Sequence, residues 1–308
     1  MTKNFWKDFK SPIIGLAPME GYSDSAFRQV CKKINPSIVT YTEFTSADGL
    51  FHNAKSVKKK LSFLPSEQPL IAQIFGKDIK TFISAAKLCE DLGFTGLDLN
   101  MGCPAKKVVR SEHGVALRKN HSLACRLVEA VATNCSLPIS VKTRLGWSDA
   151  SDLISFSTAV ESAGADMICI HARTYQNPYG VPANWEPLYE LKKSLQIPLL
   201  GNGGVLDVQD GLAKIKNLDG FLIGQASFGN PWVFSDVSSH LSITDKLPLI
   251  LFHAEALIRS KGELVGCREI RKHLLSYCRG FSGAKQLRSA LCHVASFQDI
   301  VSCLDQMA

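Results

Sequence analysis

No apolar run in this 308-residue chain approaches the roughly 20 residues needed to cross a bilayer. The opening stretch, Met1 to Lys10, alternates charge and aromatics and lacks the apolar core of a secretory signal. Both absences point to a cytoplasmic protein with no membrane partner. None of the ten cysteines stands in a C-x-x-C pair, which leaves zinc and iron–sulfur sites weakly supported and no metal expected. A chain of this length needs no disulfide staples, so most thiols read as small buried apolar groups. There is no low-complexity tail, and no repeat beyond a strand–helix period.

What is present is an alternation of short apolar runs with helical patterns. The runs are Ile13–Ala17, Ile38–Phe44, Leu70–Phe75, Gly96–Asn100, Pro138–Thr143, Asp166–His171, Pro198–Asn202 and Gly220–Gly224. Helical patterns fall at Asp24–Ile34, Asp78–Leu92, Ser122–Thr133, Asp152–Ala163, Pro187–Leu195 and Asp207–Ile215, several opening on Asp or Ser as N-caps do. The segment after the second run has no clear pattern. Eight such runs with helical crossovers predict an α/β fold, a (β/α)8 TIM barrel. A doubly wound sheet competes, but no G-x-G-x-x-G opens the first helix.

After residue 236 the strand runs stop and helical periodicity continues. The expected division is a barrel over 1–242 and a small all-helical domain over 243–308. Leu247-Pro248 places a helix start near Leu249, and Gly266 and Gly280 bracket a second helix. On a helical wheel Arg268, Arg271, Lys272 and Arg279 share one face, with Cys267, Ile270, Leu274, Tyr277 and Phe281 opposite. The net charge is +7, and Arg259 to Arg288 holds eight basic and two acidic residues. Such a cluster fits either a polyanionic partner or a solvated helix face.

In a barrel, chemistry collects at the carboxyl ends of the strands. Those ends carry Pro18-Met19-Glu20, Gln73, Asn100 with Cys103, Lys142 and Arg144, His171 and Arg173, Asn202-Gly203-Gly204, and Gly224-Gln225. The last two sets fit a phosphate, because glycines admit an anion to the backbone and helix starts donate N–H groups; tight turns are the plain alternative. Lys142 could form a Schiff base or face an electron-rich ring. Gln73 and Asn100 offer amides able to read a uracil-like or flavin-like edge. His171 stands before a long loop, Thr174–Pro187, and could serve a site or the core. Cys103 sits between Gly102 and Pro104, beside Lys106 and Lys107.

A-P-M-E-G-Y-S-D-S-A-F-R, L-N-M-G-C-P-A-K-K-V, V-K-T-R-L-G-W, I-H-A-R-T, G-N-G-G and I-G-Q-A-S-F-G-N-P-W occur in this order, and R-K-H-L-L-S-Y follows in the C-terminal helix. The chain closely resembles the bacterial tRNA-dihydrouridine synthases along its whole length. The resemblance implies an FMN-bound barrel that reduces the C5–C6 bond of selected tRNA uridines with NADPH or NADH. It implies cofactor contacts from Pro18, Met19, Glu20, Gln73, Lys142, His171, Asn202, Gly203, Gly204, Gly224 and Gln225. Asn100 looks like a uracil-binding residue. The resemblance further implies that hydride would pass from FMN N5 to uracil C6 and that Cys103 would protonate C5. Lys106, Lys107, Arg144, Arg173, Arg268, Arg271 and Lys272 would hold tRNA. No obligate protein partner is implied.

Two positions depart from the family pattern. Gln225 stands where relatives commonly have arginine, which predicts weaker FMN retention. S-E-H-G puts Glu112 and His113 where relatives often have smaller residues. Competing readings are an FMN reductase of free pyrimidines, a catalytically silent tRNA-binding protein and a Lys142-dependent aldolase. The basic helix opposes the first, and Cys103, Lys142 and His171 together oppose the second. The third leaves Cys103 unexplained.

Overall fold

The computed structural model describes residues 5–9, 12–176, 181–235 and 241–305. The strands are β1 Ile13–Leu16, β2 Thr40–Tyr41, β3 Thr45–Ser46, β4 Leu70–Phe75, β5 Gly96–Met101, β6 Ile139–Arg144, β7 Met167–His171, β8 Leu199–Asn202 and β9 Gly220–Ile223. They are all parallel, in the order β1-β9-β8-β7-β6-β5-β4-β2, with β3 also on β4. Of the second expected run, Ile38–Phe44, only Thr40–Tyr41 forms a strand, and β3 follows just beyond it. A bridge between Gly15 and Val39 joins β1 to this edge and closes the barrel. Gly15 permits that closure: a Cβ there would lie 2.6 Å from the Leu222 side chain and 2.8 Å from the Val39 carbonyl.

The crossover helices are α1 Ser25–Ile34, α2 Ala47–Phe51, α3 Lys55–Lys59, α4 Ile79–Asp91, α5 Lys106–Arg110, α6 His121–Asn134, α7 Leu153–Ser162, α8 Glu186–Lys192 and α9 Val208–Ile215. Asp24, Asp78 and Asp207 accept the N–H bonds of their first turns, as the sequence predicts. The start of α6 is capped by Asn120 rather than Ser122. Asp152 leaves its helix uncapped because its carboxylate is taken by Arg118 and His121. The short α2 and α3 occupy the segment that showed no pattern.

Side chains alternate across each strand, and the alternation separates two cores. Outward residues such as Leu97, Leu99, Val141 and Ile170 pack beneath the helices. Inward residues Ile13, Val39, Tyr41, Ile71, Met167, Cys169, Leu200 and Leu222 fill the barrel, with Trp6 against them. The same inward parity, continued toward the carboxyl ends, carries Gln73, Asn100, Lys142, His171 and Asn202. The interior is therefore apolar below and polar above.

Four helices follow: α10 Ile243–Lys261, α11 Glu263–Tyr277, α12 Ala284–Leu291 and α13 Phe297–Asp305. They share an apolar cluster built on Ile250, Leu257, Ile270, Leu274, Leu291 and Ile300, which Trp232 joins from the barrel side. The start of α10 lies earlier than Pro248 implies. Ser242 and Asp245 form a reciprocal capping box, and Pro248 is carried inside the helix. Gly266 does not bracket α11 but lies within it. A Cβ there would come 2.6 Å from Ile258 Cα, so this glycine brings α10 and α11 together. The helix break falls at Gly262, with φ 81°. None of the described helices is long and apolar enough to cross a membrane.

Candidate active site

A cavity of about 1040 Å³ opens at the carboxyl ends of the strands. Its lining includes Pro18, Met19, Glu20, Asn100, Cys103, Lys106, Lys142, Arg144, His171, Arg173, Asn202, Gly203, Gly204, Gly224 and Gln225. Parallel register explains how residues so distant in sequence meet. Asn100 pairs across from Lys142, and His171 from Asn202.

The Lys142 ammonium donates to Asn202 Oδ1 at 3.0 Å, and Asn202 Nδ2 donates to the Leu222 carbonyl at 2.8 Å. Asn202 is thereby held with its oxygen toward the lysine. Beside them, Nδ1 of His171 is buried with no hydrogen-bond partner. Burial drives the His171 pKa down to about 2, with Lys142, Arg144 and Arg173 adding to the effect. The ring is neutral at physiological pH and keeps an unused polar atom, which is costly unless a ligand takes it.

Gly203 and Gly204 stand at φ 104° and 68°, in the region that L side chains avoid. A Cβ on Gly203 would press on the His171 ring at 3.2 Å. The turn Gln225–Ser227 follows Gly224 and places the exposed Gln225 side chain at the same rim. Backbone here can approach a phosphate closely, and no cation stands at position 225.

The cysteine loop is held from two sides. Asn100 Oδ1 accepts the Gly102 N–H at 3.2 Å and the Cys103 N–H at 2.9 Å. Arg144 Nε donates to the Gly102 carbonyl at 2.9 Å. Gly114, at φ 61°, completes the seat, because a Cβ there would lie 2.8 Å from the Cys103 carbonyl. Burial raises the Cys103 pKa, offset in part by the Ala105 N–H and the Arg144 charge. The half-buried thiol stays protonated at neutral pH.

Several expected contacts are placed differently. Gln73 is fully buried and does not line the cavity: it donates to Asp98 at 2.7 Å and accepts from Asn100 at 2.9 Å. Asn100 cannot offer a donor and an acceptor together, since its oxygen is engaged by the loop. The Glu20 carboxylate pairs with Lys60 at the rim. Arg173 donates to the Val181 carbonyl at 2.6 Å. Arg271, expected on the outward basic face, turns its guanidinium to the Val294 carbonyl at 3.1 and 2.7 Å and fixes the turn after α12. Lys106, Lys107 and Arg268 are exposed, and Lys272 sits 5.0 Å over the Tyr22 ring, where α11 meets the barrel mouth. Of the long loop after β7, residues 177–180 lie outside the described residues.

The sequence reading missed the aromatic rim. Tyr22 and Phe228 stack at 3.8 Å and line the cavity with Phe44 and Tyr175. Tyr22, Tyr175 and Phe228 each lie within a few residues of a strand end already marked as functional, which was the available signal; Phe44 ends the second run, where no site residue was expected. Asp98 was missed too, although alternation puts it on the same inward face as Asn100.

Glu112 has φ 62°, an uncommon conformation for a residue with a side chain, and its carboxylate reaches Lys77 at 2.5 Å. The polar bulk expected near the entrance therefore leans away, onto the end of β4.

Comparison with known proteins agrees over nearly the whole chain. It is 33% identical to the probable tRNA-dihydrouridine synthase 2 of Bacillus subtilis (strain 168), covering 99% of the chain and 97% of that protein. It is 32% identical to the probable tRNA-dihydrouridine synthase of Rickettsia conorii (strain ATCC VR-613 / Malish 7), covering 92% and 89%. Identity to the tRNA-dihydrouridine synthase B of Pseudomonas syringae pv. tomato is 30%, over 89% and 85%. The family model described as dihydrouridine synthase matches residues 15–308, the barrel site and the helices beyond it alike, so the chain belongs to the dihydrouridine synthase family.

Proposed function

We propose that this protein is an FMN-dependent tRNA-dihydrouridine synthase that uses NADPH or NADH as reductant. The observation that carries the reading is the seat of Cys103. A protonated thiol is fixed by Asn100 and Arg144 at the wall of a cavity whose lining also offers Lys142, a neutral His171 and a glycine cradle.

The residues present fit a flavin mononucleotide. His171 Nδ1 is buried and without a partner, as an atom meant for a ligand would be. Lys142 and Asn202 form a polar pair on the same inward face, while Pro18 and Met19 supply an apolar wall. Gly203, Gly204, Gly224 and the N–H groups of the Gln225 turn would hold the phosphate. When bound, the flavin supplies the hydride that reduces uracil at C6.

The chain's own residues then handle the base. Asn100 turns its amide nitrogen away from the loop and can donate to a base carbonyl. Cys103 holds a proton on Sγ and gives it to C5, where negative charge develops. Burial favours this role by keeping the thiol protonated. The target uridine must leave its stack to reach the cavity, as base-modifying enzymes require. Tyr22 and Phe228 at the rim offer a surface for that passage. Residues 243–308 serve as the tRNA-holding domain, with Arg268 and Lys272 from α11 and Lys106 and Lys107 from α5 meeting phosphates. Arg144, Arg173 and Arg271 act through the loops they tie.

The test is position-resolved mapping of dihydrouridine in tRNA from cells with and without this protein. Loss of dihydrouridine at defined positions is expected. An unchanged pattern at every position would overturn the assignment.

A further inference from the structure

Ser140, Asp98 and Gln73 form a buried hydrogen-bonded chain that ends on Asn100, and the proposed chemistry uses none of these three. Ser140 Oγ donates to Asp98 Oδ1 at 2.6 Å, and Gln73 Nε2 donates to Asp98 Oδ2 at 2.7 Å. Asn100 Nδ2 donates to Gln73 Oε1 at 2.9 Å, and Asn100 Oδ1 accepts the loop N–H groups. Asp98, Gln73 and Ser140 are 0% exposed. An amide can turn over, and nothing within it selects which end faces which neighbour. Here both ends of the chain do the selecting. The loop N–H groups can only donate, and an ionised carboxylate can only accept.

We propose that Asp98 is a positioning residue: by accepting from Gln73 it sets the direction of the Gln73–Asn100 chain and so fixes the loop that carries Cys103. With no acceptor at position 98, the Gln73 amide can turn and face Asn100 donor to donor. Asn100 then either loses Gln73 or turns over and abandons the loop. In both cases the thiol loses its fixed place. Burial pushes the Asp98 carboxyl up to about 7. Protonation need not break the chain, because the proton can lie on Oδ1 with the Ser140 hydroxyl turned to accept it. Oδ2 still accepts from Gln73. The same logic separates two substitutions. Asn at position 98 can donate to Ser140 and still accept from Gln73. Leu has similar volume but no acceptor.

The inference rests on the role given to Cys103, so the test includes a readout independent of dihydrouridine formation. Cys103 alkylation by iodoacetamide is followed by peptide mass spectrometry, with the exposed Cys292 as internal reference. In Asp98→Leu the Cys103 rate should rise about fivefold or more while Cys292 is unchanged. The kcat for dihydrouridine should fall about tenfold or more, with KM for tRNA within about twofold, since phosphate contacts lie elsewhere. Asp98→Asn should restore both readouts to within about threefold of the parent. Adding Ser140→Ala to Asp98→Asn removes the group that orients the new amide and should bring the loss back. If Asp98→Leu does not fold, this double variant decides, and parent-like values in it overturn the proposal. Parent-like alkylation and kcat in folded Asp98→Leu would also overturn it, as would an Asp98→Asn defect equal to that of Asp98→Leu. If no variant or parent makes dihydrouridine but the alkylation pattern holds, the positioning role stands and the functional assignment fails.

Discussion

Acid should loosen this protein at one identifiable place. His253 and His273 lie with ring centroids 4.5 Å apart, both fully buried where α10 and α11 pack on α1. His253 Nδ1 meets the Tyr277 hydroxyl at 3.1 Å, while His253 Nε2 and both nitrogens of His273 have no partner. Facing them are Phe27 from α1 and Asp24 at its cap, Lys261 from α10 and Lys272 from α11. Asp24 is paired with Lys261 at 2.9 Å, and Lys261 in turn with Glu269. Burial lowers the His253 pKa to about 4, and it lowers that of His273 as well. Both rings are therefore neutral when folded, whereas an unfolded histidine titrates near 6.5. As pH falls through that value, the unfolded chain binds protons that the folded chain refuses. The stabilisation is complete above about pH 6.5 and is lost toward pH 4. For His253 the loss between about pH 8 and pH 5 is roughly 2 kcal/mol. His273 adds a loss of the same sign. Urea unfolding followed by circular dichroism across this range measures the slope. His273→Phe keeps the aromatic cluster with Phe27 and removes one titrating ring, so its slope should be clearly shallower. An identical slope in parent and variant would refute this account of the interface.

Four further outcomes follow from the site and its supports. Cys103→Ala should retain flavin and tRNA binding but lose about 10²–10⁴-fold in dihydrouridine formation, measured on tRNA transcripts; full activity would remove Cys103 from the chemistry. Gln225→Arg should lower the FMN dissociation constant by roughly two- to fivefold at this exposed position, read by flavin fluorescence during dilution. Glu112→Gly relieves a left-handed residue at φ 62° and should raise the melting midpoint by about 2–4 °C in calorimetry. Gly229→Ala puts a Cβ 2.2 Å from the Ser276 backbone at φ 66°. It should weaken the seating of α11 on the barrel by roughly 2–4 kcal/mol. Hydrogen exchange in α10 and α11 would then quicken, with the β5–β7 core unchanged.

What the sequence could express about this fold follows from periodicity. All eight strand runs are visible because an apolar run between turn residues is a local signal, and the closed barrel follows from their number and spacing. Helix starts were less legible where two signals compete. At α10 a proline points to Leu249, but the Ser242–Asp245 capping box begins the helix at Ile243 and a tolerated Pro248 follows. At α11 a glycine reads as a boundary when taken alone. Only the partner helix shows that Gly266 is a contact surface for Ile258.

The site divides along the same line. That Asn100, Cys103, Lys142, His171 and Asn202 belong together follows from strand ends and inward parity, both local properties. Which atom each presents depends on neighbours far away in sequence. Asn100 lies 27 residues from Gln73, and their bond decides that its oxygen goes to the loop. Arg271 shares a helical face with Arg268, yet a carbonyl 23 residues away claims its guanidinium. Tyr22 and Phe228 form a stack only because β1 and β9 are neighbours in the closed sheet. A motif thus names the functional groups of this barrel, but the direction of each hydrogen bond is a property of the assembled interior. Asp98, invisible to the motif, occupies the position from which that direction can be set.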